Sequence, residues 1–287
     1  MFRTLRRLGA KVAPRRRIQR FVHLADEPAI GRLIGAPPMD LDIEASSEEL
    51  QEILVRTEGL WSEIGRQAPY FSVITNDAYR ALDFDKERFY SSGGDDLATL
   101  EAFFKRAGEP LGAVRDVLEF GCGVGRNTLF LAERFDRVVA VDISTPHLDI
   151  AKSKLLEAKK TNVSFVHGTS INQIAALPIS DMILSLIVLQ HNCPPVIWAI
   201  LRELLNRVRP DGYAYFQVPV YIRDYTFSVR KYLNGEHSAR PLQMHPLPQR
   251  FILKLLRELD FEVLEIQEDR AALGQGMISN IFFAKRG

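Results

Sequence analysis

Cysteine is nearly absent from this chain of 287 residues. Cys122 and Cys193 stand far apart, so no disulfide framework is expected, and no Cys/His spacing suits a zinc site. An excess of one charge is lacking as well: Lys plus Arg number 37 against 36 Asp plus Glu, a balance without the electrostatic footprint of a nucleic-acid partner. No apolar run is long enough for a membrane span or a secretory h-region. Internal repeats and low-complexity tracts are missing too. What is present is enough apolar content for a sizeable core, in one large α/β domain with extensions or two small domains. The setting reads as reducing and cytoplasmic.

One scarcity is local. No acidic residue precedes Asp26, whereas Arg3, Arg6, Arg7, Lys11, Arg15, Arg16, Arg17 and Arg20 crowd the first residues, with Phe2, Leu5, Leu8 and Val12 near helical spacing. This arm reads as solvated and partly disordered. Alternatively, residues 1–25 form a basic amphipathic segment making peripheral contact with anionic lipid on the inner face of a membrane. A transit peptide is a third reading, against which stands its shortage of serine.

The richest stretch is Val117-Leu-Glu-Phe-Gly-Cys-Gly-Val-Gly-Arg126 followed by Arg137-Val-Val-Ala-Val-Asp142. An apolar strand ending at Glu119 runs into Gly121, Gly123 and Gly125, which let the backbone turn sharply, approach a ligand and enter a helix whose first amides face it. Asp142 ends the next strand, where a carboxylate can accept hydrogen bonds from both ribose hydroxyls of a nucleoside cofactor. The dinucleotide fingerprint Gly-x-Gly-x-x-Gly fails at its third glycine, where Arg126 stands, so NAD-dependent oxidoreduction is disfavoured. Glu119 would repel a pyrophosphate and suits a cationic ligand instead.

These residues resemble the class I S-adenosylmethionine-dependent methyltransferases, whose first motif has the form acid-x-Gly-x-Gly-x-Gly with the acid near the methionine end of the cofactor. The resemblance continues through Asn162–Gly168, Asp181–His191 and Leu204–Gly212, which look like the third strand, the fourth strand and the turn before the fifth. Pro69-Tyr-Phe-Ser-Val73, Arg88-Phe-Tyr-Ser-Ser-Gly93, Leu189-Gln-His191 and Met244-His-Pro246 look more narrowly like a bacterial subgroup linked to glycan or secondary-metabolite modification. The family usually has an acid after the third strand to meet the adenine amino group. This chain has Gly168-Thr169-Ser170, so a hydroxyl or carbonyl there takes that role. Ile143 is either an apolar contact to the adenine or simply buried.

Strands near 115–120, 137–142, 162–167, 180–188 and 212–218 alternate with helices near 125–135, 145–158, 193–208 and 247–259, preceded by a helix from residue 94. Such alternation makes a parallel sheet with helices on both faces, a doubly wound α/β fold. Phe261–Gln267 and Met277–Lys285 add two strands, and the resemblance implies seven in the order 3-2-1-4-5-7-6 with the last antiparallel. Residues 1–45 form the arm and a Pro-containing linker, 46–110 an N-terminal helical extension, and 111–287 the α/β domain with an insertion at 220–248. Ser46-x-x-Glu49 is a capping box; Leu50, Ile53, Leu54, Leu60, Trp61 and Ile64 then share one face before Gly65 stops the helix. Trp61 reads as packing. The insertion, with Tyr221, Tyr225, Phe227, Tyr232, His237 and His245, reads as either an acceptor-binding lid or a packed excursion.

Ligands of such sheets bind beyond the strands' carboxyl ends. The resemblance implies displacement at a sulfonium methyl, and a hydroxyl acceptor needs its proton removed. His191 and then His245 are the candidate bases, His191 reading equally as a hydrogen-bonded loop anchor; His167 is structural and Cys122 lacks a partner for nucleophilic work. The expected function is O-methylation of a glycan or glycosylated metabolite, with S-adenosyl-L-methionine as cofactor and no metal. A catalytically silent cofactor-binding sensor or assembly protein is the alternative.

Overall fold

The chain separates into two units, residues 1–38 and 39–287. The computed structural model describes residues 37–80, 83–236, 242–269 and 276–287, so the basic arm and its lipid or targeting readings lie outside the described residues, as does His237.

The main sheet of the second unit has seven strands among the described residues: β1 (Asp116–Phe120), β2 (Arg137–Asp142), β3 (Val163–His167), β4 (Ser180–Ser185), β5 (Val208–Ile222), β6 (Phe261–Glu268) and β7 (Met277–Arg286). They lie in the order 3-2-1-4-5-7-6, parallel except for β7, which runs antiparallel to both β5 and β6. The α-helices among the described residues are α1 (Ser47–Gln67), α2 (Pro69–Val73), α3 (Lys86–Ala107), α4 (Arg126–Arg134), α5 (Thr145–Glu157), α6 (Ile171–Ala175), α7 (Pro194–Asn206), α8 (Val229–Leu233) and α9 (Gln249–Glu258).

The period of two along the strands divides the core into two layers. Ala214, Phe216 and Val218 of β5 pack with Phe282 against Ile197 and Leu201 of α7 and Ile252 and Leu256 of α9. Tyr213 and Tyr215, one residue out of phase, pack with Phe283 against Phe103 and Phe104 of α3 and Leu131 of α4. Both faces of the central strands are therefore dry, and polar ligands meet the sheet only at its strand ends.

Several local boundaries differ from the sequence reading. The capping box at Ser46 and Glu49 forms, with Ser46 N–H donating to Glu49 Oε2 at 2.8 Å and Glu49 N–H to Ser46 Oγ at 3.2 Å. The helix it starts runs through Gly65 to Gln67, and Gly65 is buried at a contact with α5, where a Cβ would meet Ser144 Oγ at 2.8 Å and His147 at 3.1 Å. α3 begins at Lys86 rather than 94 because Asp85 caps it, accepting from Arg88 N–H at 2.9 Å. β4 stops at Ser185, just before Ile187 takes a left-handed φ of +60°. Finally, part of the expected linker is built into the body: Asp40–Leu41 pairs in parallel with Thr226–Phe227, and Asp42 Oδ2 accepts from Val229 N–H at 2.8 Å at the start of α8.

Candidate cofactor and acceptor site

A cleft opens at the carboxyl ends of β1, β2 and β4, where small-molecule ligands of such sheets bind. Its floor is Glu119 and Phe120 at the end of β1 with Gly121, Cys122 and Gly123 after it, Asp142 at the end of β2 with Ile143 after it, and Gly168 after β3. Leu186, Ile187, Val188, His191 and Asn192 form the wall after β4. The roof is α1 and α2, through Leu54, Thr57, Trp61, Ser72 and Val73.

The glycine loop is as tight as its sequence implies. Gly121, Gly123 and Gly125 have φ of +82°, +54° and +83°, where a side chain is strained. A Cβ on Gly121 would run into the side chain of Val188, and one on Gly123 would reach Val73 Cγ2 at 2.8 Å, so the loop is pressed between wall and roof. Gly125 instead abuts Ala151 and Leu155 of α5 and stands outside the cleft lining, a helix-packing position.

Asp142 holds this loop. Its Oδ2 accepts from Gly123 N–H and its Oδ1 from Ser144 N–H, both at 2.8 Å. Each oxygen keeps a further lone pair for a ligand hydroxyl. Glu119 is 2% exposed, and burial pushes its carboxyl up to about 7, opposed by the Thr128 hydroxyl, which donates to Oε2 at 2.6 Å, and by Arg126. Arg126 opens α4, pairs with Asp96 and donates to Ser92 Oγ at 3.2 Å. Arg126 Nε and Asn127 Oδ1 are buried without a hydrogen-bond partner, and both residues line the cleft. A ligand in the cleft is one source of partners for such buried polar atoms.

Thr169 and Ser170 are not brought into the lining. Thr169 N–H and Oγ1 donate to Gln173 Oε1 at 2.8 and 3.0 Å, while Ser170 Oγ accepts from Gln173 N–H and caps α6. Their hydroxyls serve the local turn, and Gly168 is what the turn presents to the cleft.

The two candidate bases lie in different surroundings. His191 lines the cleft, its ring 5.1 Å from that of Trp61, but both nitrogens are engaged: Nδ1 donates to Gln243 O at 3.2 Å and Nε2 accepts from Gln190 Nε2 at 3.2 Å. Burial pushes its imidazole down to about 4, outweighing the Gln243 carbonyl, so it is neutral at pH 7 and a weak base. His245 is 5% exposed, shares a hydrogen bond between its Nδ1 and the Tyr225 hydroxyl, and does not line the cleft. The described part of the insertion is a packed excursion, with Phe227, Val229 and Tyr232 in the core, and none of it lines the cleft.

Sequence reasoning missed the roof. Trp61 faces the cleft rather than the interior alone, and Ser144 Oγ donates to its carbonyl at 3.1 Å. His147, 1% exposed on α5, also lines the cleft; its Nε2 donates at 2.8 Å to Ser72 Oγ, which donates onward to Pro69 O. Burial pushes this imidazole down, against the charge of Asp142. A polar residue in the first turn after Asp142 was the available signal.

Residues 117–212 match a family model described as a methyltransferase domain. Magnesium-protoporphyrin O-methyltransferase of Rhodobacter capsulatus is 38% identical over 91 residues, 32% of this chain and 40% of that protein. A demethylmenaquinone methyltransferase of Lactococcus lactis is 30% identical over 114 residues, 38% of this chain and 42% of its own. The chain thus spans about two fifths of the length of these curated relatives. Among solved structures, magnesium protoporphyrin IX methyltransferase from Synechocystis with bound S-adenosylhomocysteine superposes with a TM-score of 0.56 at 18% identity, over 82% of this chain and 99% of that one. Residues 117–212 thus match a methyltransferase-domain family, and the chain shares the fold of that solved methyltransferase.

Proposed function

We propose that this chain is an S-adenosylmethionine-dependent methyltransferase acting on a small-molecule acceptor. The observation that carries the reading is the register of Glu119, the glycine loop and Asp142 around one cleft, with Asp142 gripping the loop through Gly123 N–H. The residues fit the cofactor: Asp142 has lone pairs for ribose hydroxyls, Ile143 offers an apolar face, and Glu119, Arg126 and Asn127 offer an acid, a buried N–H and a buried carbonyl oxygen to charged and polar ends. The chemistry S-adenosylmethionine would supply there is an activated methyl group, passed to the acceptor with S-adenosylhomocysteine left behind.

The chain's own part is positioning. Trp61, Ile187 and Val188 offer an apolar and aromatic surface, and the roof of α1 and α2 limits water. With His191 a weak base and His245 outside the lining, neither candidate histidine supports deprotonation of an unactivated sugar hydroxyl. This favours an acceptor with an apolar, ring-bearing body and a nucleophile that is acidic or needs no deprotonation, such as a secondary metabolite, over a bare glycan. The names of the two curated relatives, which specify protoporphyrin and demethylmenaquinone, agree with a small-molecule acceptor. The free, buried Cys122 and Cys193 are compatible with a cytoplasmic setting.

Incubation with methyl-labelled S-adenosylmethionine and fractionated small-molecule extracts tests the reading. Label appearing in an acceptor, with S-adenosylhomocysteine accumulating, supports it. Cofactor binding without transfer to any fraction would instead make the chain a sensor or assembly protein.

A further inference from the structure

Gln217 lies on β5 behind the cleft wall and is 1% exposed. Its Oε1 accepts from Ile187 N–H at 3.0 Å; its Nε2 donates to Gln190 Oε1 at 3.0 Å and to the Ser279 hydroxyl. Gln190 in turn donates from its own Nε2 to His191 Nε2. One buried amide thus joins two points of the wall, Ile187 and, through Gln190, His191.

Ile187 is the strained point. Its φ of +60° is a left-handed conformation that a β-branched residue adopts only where its surroundings over-determine it. The turn ends β4 and brings Val188 against the glycine loop, close enough that a Cβ on Gly121 would run into its side chain. Relaxation of Ile187 to a right-handed or extended conformation would carry Val188 off the loop and leave the Ile187 N–H buried without its acceptor.

We propose that Gln217 is a positioning residue: by pinning Ile187 in the left-handed conformation it sets Val188 against the Gly121 loop and fixes the cofactor-facing wall. The proposal rests on the reading of the cleft as an S-adenosylmethionine site only for its affinity readout; the conformational claim stands apart from it.

The test is a double-mutant cycle with Gln217→Met, which keeps the side-chain length and removes the acceptor, and Ile187→Gly, which removes the strain. Amide hydrogen exchange without ligand is expected to show Ile187 N–H protected in the wild type and unprotected in Gln217→Met. Titration with S-adenosylhomocysteine is expected to show Gln217→Met weakened about tenfold in the wild-type background, the scale of one strained residue released. In the Ile187→Gly background the same change should cost about twofold or less, because glycine holds a positive φ without a clamp. Should Gln217→Met alone fail to fold, Ile187→Gly in that chain is expected to restore folding. Unchanged Ile187 protection, equal affinity losses in both backgrounds, or absence of rescue would overturn the proposal. A wild type that does not bind S-adenosylhomocysteine would overturn the functional reading, and the exchange data would still decide the role of Gln217.

Discussion

Glu119 and His191 face one cleft, and burial moves them in opposite directions. Between the ordinary 4.5 and the folded value of about 7, the Glu119 carboxyl binds more protons folded than unfolded, so its contribution to stability falls as pH rises through that window. Between about 4 and the ordinary 6.5, the His191 imidazole binds fewer protons folded than unfolded, so its contribution falls as pH drops. The two slopes oppose each other from 4.5 to 6.5. Calorimetric Tm against pH should therefore rise more steeply across that range in Glu119→Gln than in the wild type, while His191→Gln should fall with rising pH; parallel curves for all three would refute the assignment. A cation bound near Glu119 prefers the carboxylate, so affinity for S-adenosylmethionine is expected to rise from pH 6 to 8 and to lose that rise in Glu119→Gln. For Asp142→Ala the expectation is a joint loss. Two buried amides, Gly123 N–H and Ser144 N–H, are left without acceptors at about 1–3 kcal/mol each, so Tm falls together with cofactor affinity.

At the scale of elements, the roof decides how the cleft closes. Gly65 lets α1 settle on α5, and in Gly65→Ala the overpacking of about 1–3 kcal/mol against Ser144 and His147 should outweigh alanine's helix advantage of at most about 1 kcal/mol. The expected outcome is a lower Tm and weaker binding of S-adenosylhomocysteine; a higher Tm would show that α1 yields freely. The alternation of strands and helices was legible because short apolar runs alternate with longer helical stretches, the strand order only through the family resemblance, and the floor of the site because an acid, three glycines and a second acid stand in register. The roof was not. Trp61 sits on an apolar stripe whose spacing reports that a helix is buried, not whether its neighbour is core or cleft. Thr169 and Ser170 show a related ambiguity: hydroxyls after a strand also cap helices, and Gln173 engages both. Ile187 left no sequence signal, since its left-handed turn depends on Gln217, thirty residues away.

Across the whole molecule, the residues lining the cleft run from Leu54 to Ile200, with the C-terminal strands acting as support. Removal of residues 1–25 is accordingly expected to leave affinity for S-adenosylhomocysteine unchanged, as read by titration. If the arm binds anionic lipid, the same truncation abolishes sedimentation with anionic vesicles at low salt, and equal sedimentation of both forms excludes that role. No helix among the described residues is long and apolar enough to cross a membrane. The central claim is that the cleft around Glu119, the glycine loop and Asp142 is a nucleoside-sulfonium site. Isothermal titration of the wild-type chain with S-adenosylmethionine tests it most directly. The account predicts saturable binding at one site per chain and no binding of NAD under the same conditions; tight NAD binding, or no saturable heat with S-adenosylmethionine, would contradict it.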